Sequence, residues 1–149
     1  MKKRTTIEII AILFVTLFLY TGISKWMDYY VFKEQIALSP LLAPIAQGVA
    51  ILLPATEIIV SVILFIPRTR QIGLYASFIL MILFTGYIIY VLNYNPQLPC
   101  TCGGFIQALS WHQHLVLNIV LIILSLRAII LMKKPAPEKI DKVSSTSYN

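Results

Sequence analysis

Four long apolar segments dominate this sequence, and each is long enough to cross a lipid bilayer as an α-helix. A helical span needs roughly 20 residues. Lipid offers no hydrogen-bond partner to the backbone of an open strand, so helices are the form that such segments take. The segments cover residues 7–23, 41–66, 72–92 and 115–132. The sequence therefore predicts an all-α polytopic membrane protein, with a four-transmembrane-helix bundle in one membrane domain over residues 1–134.

Charge is scarce and unevenly distributed in this chain. Charged residues make up 12% of the sequence, about half of their share in a typical soluble domain. The net charge of +6 comes from basic residues that lie beside the apolar segments, where they set membrane topology. We therefore expect the lipid bilayer as a partner and no nucleic acid. The polar tail, residues 135–149, is expected to be disordered and cytoplasmic.

The distribution of Lys and Arg predicts the orientation of the bundle. Ten of them fall at the N-terminus, in the connection after the second segment, and in the last segment with its tail. Only Lys25 and Lys33 fall on the opposite side. Cytoplasmic loops carry the excess of basic residues, so both termini face the cytoplasm. We expect a multi-pass protein of the bacterial inner membrane, with its third connection on the periplasmic or outer side. The first segment lacks a clear cleavage site after it and is expected to stay as a helix.

The third connection gathers the reactive side chains of the chain. The stretch NPQLPCTCGGFIQALSWHQH, from Asn95 to His114, holds the only two cysteines and the only two histidines. Cys100 and Cys102 form a C-x-C pair, and paired cysteines outside the cytoplasm usually form a disulfide or cycle through one. A bridge across one residue is strained, and strain favours an exchanging bond over an inert one. We favour a redox-active dithiol, with a structural disulfide as the alternative.

The two histidines fall at the predicted start of the last spanning helix. Ser110 and Gln113 match a capping box, which predicts that this helix begins at Trp111. His112 and His114 then point about 200° apart around the helix axis. Both could not turn to one metal ion, which disfavours a zinc site made with the two cysteines. The functional interpretation is that a histidine or the helix amino end stabilises a thiolate. The alternative is a polar helix start.

Glu57 lies inside the second apolar segment, in LLPATEIIV. A charge there costs on the order of 2.5–3.5 kcal/mol on insertion scales, so we expect hydrogen bonding within the bundle. Tyr20, Thr85, Tyr87 and Tyr90 are the candidate partners. Two interpretations stay open. Glu57 is either a buried polar lock between helices, or a proton-handling or quinone-binding group.

The first outward connection, SKWMDYYVFKEQIALSP, mixes aromatic and charged residues. This composition is typical of a segment in the headgroup layer. We interpret it as an interfacial anchor, with a lid or docking surface over the cysteine loop as the alternative. Ser39 followed by Pro40 predicts a helix start.

Three stretches together resemble the MauE/DoxX group of redox-associated membrane proteins. They are YTGISKWMDY, LLPATEIIV and LPCTCGGFIQALSWHQHLVLNIVLIIL. The resemblance implies a four-helix bundle with an outward cysteine loop, Cys100 and Cys102 as the redox pair, and Glu57 at the acidic position of the second helix. MauE-like proteins are associated with disulfide formation in extracytoplasmic partners such as methylamine dehydrogenase, often beside thioredoxin-like proteins. DoxX-like proteins are linked to quinone-coupled sulfur oxidation.

These observations predict a membrane thiol–disulfide redox accessory protein, with quinone as its candidate cofactor. It would exchange disulfides with an extracytoplasmic thioredoxin-like or client protein. Better-understood membrane disulfide oxidases use two cysteine pairs, whereas this chain has one. Either the pair meets quinone directly or a second protein relays the electrons. Alternative functions are a non-catalytic subunit of a larger membrane complex, and a metal-handling membrane protein.

Overall fold

Helices make up nearly all of the structure, a computed structural model that describes residues 2–94 and 110–133. A single turn of 3-10 helix, at Ala43–Ile45, precedes the third α-helix, and this part of the chain contains no strand. The α-helices are α1 (Lys2–Met27), α2 (Tyr29–Ala37), α3 (Ala46–Phe65), α4 (Arg70–Tyr94) and α5 (Trp111–Lys133). The predicted tail, residues 135–149, lies outside the described residues.

Four of these helices, α1, α3, α4 and α5, are long and apolar enough to cross a membrane. This confirms the predicted all-helical fold with four candidate spans. Three of them extend beyond the apolar segments that predicted them. An apolar segment measures the hydrocarbon core of the bilayer, whereas the helix continues into the polar interface.

The helix α3 begins later than the sequence predicts. Ser39 and Pro40 lie in a turn, and α3 starts at Ala46. The backbone N–H groups of Leu42 and Ala43 donate to the Ser39 carbonyl at 3.0 and 2.8 Å. The Ser39 hydroxyl is buried and has no partner among the described residues. The prediction of a helix start here was therefore wrong, because the Ser39 backbone is used in the chain reversal between α2 and α3.

The four long helices form a closed ring. The helix α1 packs mainly against α3, and α4 mainly against α5, while contacts between α3 and α4 and between α1 and α5 complete it. The short connection from α3 to α4 makes these two helices antiparallel. One cavity is lined by Lys25 near the end of α1, Val49 near the start of α3, Tyr90 near the end of α4 and His114 near the start of α5, so consecutive spanning helices run in opposite directions. We call the end where α1 and α4 finish, and where α3 and α5 begin, the loop end. The core below it is apolar, with the rings of Phe14 and Phe18 5.7 Å apart.

The short helix α2 folds back on α3 at the loop end. Its Phe32 and Ile36 pack against Ala46 and Ala50 at the start of α3. Its other face is open, and Tyr30 is 77% exposed. The predicted interfacial segment is thus a helix that covers one side of the bundle.

Candidate functional site

A buried ion pair joins α1 to α3. The Lys25 Nζ lies 2.5 Å from Glu57 Oε1, and the two side chains are 6% and 1% exposed. Removing one partner of such a pair leaves an uncompensated charge in a medium that cannot solvate it. The pair therefore stabilises the bundle only when both members are present, and it holds α1 and α3 in one register.

Glu57 has a different partner from those predicted. Thr85 donates its hydroxyl to the Met81 carbonyl at 2.7 Å, and the partner of Glu57 Oε1 is Lys25. The charge count assigned Lys25 to the first outward connection. The structure instead places it inside α1, which continues to Met27.

A spacing signal for the burial of Lys25 is present in the sequence. Phe14, Phe18 and Thr21 are all buried, and they precede Lys25 at intervals of four, three and four residues. This spacing keeps residues on one face of a helix. Lys25 therefore continues the core-facing stripe of α1, and an acidic residue within another span is the partner that such a lysine requires.

Aromatic rings complete the surroundings of the lysine ammonium. The Lys25 Nζ lies 5.7 Å from the ring centroid of Phe32 on α2 and 5.5 Å from that of Phe84 on α4. Each ring face attracts the cation, typically by about 0.5–2 kcal/mol. Lys25 thus connects α1 to α2, α3 and α4 at one point.

A cavity of about 470 Å³ lies around this ion pair. Most of its wall is apolar. Its polar and titratable lining residues are Thr21, Lys25, Glu57, Tyr87, Tyr90 and His114. Its volume lies within the range of roughly 300–1,000 Å³ found for small-molecule sites, which combine apolar walls with a few polar groups.

The second carboxylate oxygen of Glu57 is buried beside the ion pair. Glu57 Oε2 is buried and has no hydrogen bond within the described part of the chain. Thr21 lies beside the carboxylate, but its hydroxyl donates to the Leu17 carbonyl at 3.0 Å. Buried polar atoms are nearly always hydrogen-bonded, so this oxygen can accept a hydrogen bond from a water or from a bound molecule.

The histidines separate as predicted. The predicted capping box is present, since the Ser110 N–H donates to Gln113 Oε1 at 3.0 Å and the Gln113 N–H donates to Ser110 Oγ at 3.4 Å. The helix therefore begins at Trp111. His114 is buried and lines the cavity, whereas His112 is exposed. The structure thus brings His114 and Glu57 to one cavity and leaves His112 out of it.

Residues 3–132 match the family model described as methylamine utilisation protein MauE.

The chain belongs to the MauE family. The match includes all four spanning helices and both members of the ion pair, so this MauE-family protein is a multi-pass membrane protein. The predicted MauE resemblance is confirmed, while the resemblance to DoxX stays a prediction. No curated protein and no solved structure matches the chain significantly.

The cysteine pair of this MauE-family protein lies outside the described residues. The predicted redox roles of Cys100 and Cys102 stay predictions. The connection that contains them leaves α4 at Tyr94 and enters α5 after Ser110, so both of its ends are at the loop end. Within residues 2–94 and 110–133, no group of three or more His, Cys, Asp or Glu side chains is placed to hold a metal ion.

Proposed function

We propose that this MauE-family protein is a membrane thiol–disulfide redox accessory protein. It exchanges disulfides with an extracytoplasmic thioredoxin-like or client protein through Cys100 and Cys102. The family name refers to methylamine utilisation, and we propose that the partner belongs to such a system. The protein lies in the bacterial inner membrane with its cysteine loop on the periplasmic or outer side.

The arrangement at the loop end is the observation that carries this proposal. The only two cysteines of the chain are in the connection between α4 and α5. The start of α5 carries His114 into a cavity that also contains the Lys25–Glu57 pair. Thiol exchange requires a thiolate and a group that accepts or returns its proton. The connection that contains the thiols therefore begins and ends at the end of the bundle where His114 and the Lys25–Glu57 pair lie.

Exchange with the partner proceeds through a mixed disulfide. A partner thiolate attacks the Cys100–Cys102 disulfide, forming one intermolecular S–S bond and releasing the second cysteine of the pair as a thiolate. A second partner thiolate then attacks the intermolecular bond. The partner leaves with a disulfide, and Cys100 and Cys102 are left as a dithiol. Electrons are conserved throughout, because the partner loses the two that the pair gains.

Trapping of the mixed disulfide tests this proposal. Cells that express Cys100→Ser or Cys102→Ser are acid-quenched, alkylated and analysed on non-reducing gels. We expect one of the two variants to accumulate a covalent complex that disappears on reduction. Thr101→Ser is the matched control, since it changes the same loop but keeps both thiols, and it should give no trapped complex.

Two other outcomes would favour the alternative functions. A pair that stays oxidised in all conditions, and whose loss changes only the amount of protein, indicates a non-catalytic subunit of a larger complex. A metal ion that remains with the purified protein in native mass spectrometry, and is lost in the cysteine variants, indicates metal handling.

A further inference from the structure

We propose that the cavity around Lys25 and Glu57 binds the ring of a membrane quinone, which enters from the bilayer on the α4 side of the cavity. Every residue named for this site lies in the described part of the chain. The shape of the cavity, its polar groups and its opening each favour this ligand.

The walls of the cavity suit a flat, lipophilic ring. Phe18, Phe32, Phe84, Tyr87 and Tyr90 contribute aromatic side chains, and most of the other lining residues are aliphatic. Aromatic rings favour stacked or edge-on contact with another flat ring. A long apolar tail on the ligand would stay in the lipid, so it would not have to change its surroundings when the ring enters the cavity.

The polar groups suit an uncharged head that both accepts and donates hydrogen bonds. The Lys25 ammonium is a donor for a quinone carbonyl, and it is held in place by Glu57 Oε1. Glu57 Oε2, which has no hydrogen bond within the described residues, is an acceptor for a quinol hydroxyl. The site therefore offers a partner to both redox forms of one ligand class.

Phospholipid is a less suitable occupant of this cavity. The positive charge of Lys25 is already compensated by Glu57 at 2.5 Å, so the pair leaves no net charge to attract a phosphate. Burial of a second anion beside Glu57 would also be costly. A neutral carbonyl or hydroxyl head needs no net charge to attract it, and its burial does not place a second anion beside Glu57.

An opening towards lipid is present on the α4 side of the cavity. Leu83 and Gly86 line the cavity and are also exposed on the surface of the helix bundle. A Cβ atom added at Gly86 would meet nothing within 4 Å. Leu41, which is 53% exposed and lies in the turn before α3, also lines the cavity. The exposed surface of a spanning helix faces acyl chains, so this opening leads into the bilayer.

The redox consequence of this site rests on the proposed function. When Cys100 and Cys102 form a disulfide, their thiols lose two electrons and two protons. A bound quinone supplies the oxidising power by taking up both electrons and both protons, and it becomes a quinol. The protein would then oxidise its partner and renew its own disulfide, so electrons would flow from the partner through the cysteine pair to quinone.

Binding of decylubiquinone to the purified full-length protein in detergent tests the site. Its dissociation constant is measured by titration of the thermal unfolding midpoint, with decanol as the comparison ligand that has a tail but no ring. We compare wild type with Gly86→Leu, whose side chain would fill the opening. Gly48→Leu is the matched control, because Gly48 is also an exposed helical glycine with nothing within 4 Å but does not line the cavity.

We expect decylubiquinone to raise the unfolding midpoint and decanol to leave it unchanged. The dissociation constant should rise about tenfold or more in Gly86→Leu, which is ~1.4 kcal/mol, and should be unchanged in Gly48→Leu. Equal affinity in the two leucine variants, equal effects of decanol and decylubiquinone, or no binding to wild type would each overturn the proposal.

The cysteine variants separate this proposal from the proposed function. Cys100→Ser with Cys102→Ser should bind decylubiquinone as tightly as wild type. A trapped partner complex without quinone binding would contradict only the cavity assignment. Quinone binding without any trapped complex would contradict only the disulfide exchange.

Discussion

The Lys25–Glu57 pair is the residue-scale feature that most sets the character of this bundle. Two opposite charges, 32 residues apart in sequence, are buried in a mostly apolar interior. Glu57 could be recognised from the sequence, because an acidic residue inside an apolar segment is costly and requires a partner. Lys25 could not be found by counting charges, since that rule treats every lysine near a span as a surface residue.

Removal of one member of the pair should destabilise the protein more than removal of both. We expect Lys25→Met to lower the free energy of unfolding by about 3–5 kcal/mol, because Glu57 is left without its counter-charge. The double variant with Glu57→Leu should recover most of this loss. The double-mutant cycle is measured by equilibrium unfolding in mixed micelles. A Lys25→Met variant as stable as wild type, or losses that simply add, would contradict the account of a mutually dependent pair.

The two histidines provide a matched pair of residues on one helical turn. We expect His114→Asn to slow disulfide transfer to the partner, on the order of 10²-fold if it moves a proton, because His114 lines the cavity. His112→Asn should leave the rate nearly unchanged, since His112 is exposed. The rate is followed by quenching and alkylating the partner at intervals. A larger effect at His112 than at His114 would contradict this assignment.

At the scale of elements, contact between helices depends on small residues. A Cβ atom added at Gly22 on α1 would lie 3.2 Å from the Pro54 carbonyl oxygen of α3. One added at Gly73 on α4 would lie 2.8 Å from Leu64 Cγ and 3.0 Å from the Leu64 backbone nitrogen. Small residues allow helices to approach closely in membranes, where packing replaces the hydrophobic effect. The number and type of long helices could be predicted from the apolar segments, but these contacts could not.

Substitution of glycine by alanine should therefore have opposite effects on stability at Gly73 and at Gly48. Gly73→Ala should destabilise the bundle by about 1–3 kcal/mol, since α3 and α4 must move apart. Gly48→Ala should be neutral or stabilising by up to ~1 kcal/mol, because its Cβ meets open space and alanine favours the helix. Thermal unfolding of both variants in one detergent checks this. Equal midpoints for the two variants would contradict close packing at Gly73.

At the scale of the whole molecule, the cavity is the product of the fold. Its residues come from five helices, and Lys25, Glu57 and His114 are far apart in the chain. The bundle itself could be predicted, since apolar length determines each span and the capping box determines where α5 begins. The cavity could not be predicted, because no local pattern in the sequence indicates which faces of the helices pack together. The short helix α2 could likewise not be predicted, since its mixture of aromatic and charged residues is also typical of an interfacial loop.

Selective labelling from outside the cell tests whether Cys100 and Cys102 are an external pair that exchanges disulfides. Intact spheroplasts are treated with a membrane-impermeant phosphine and then with a membrane-impermeant maleimide, and the mass added to the protein is measured. Arg68→Cys in a protein without Cys100 and Cys102 is the control for the predicted cytoplasmic side. We predict that both native cysteines are labelled only after reduction and without lysis, while the control is labelled only after lysis. Native cysteines that are labelled only in lysed membranes would contradict the account.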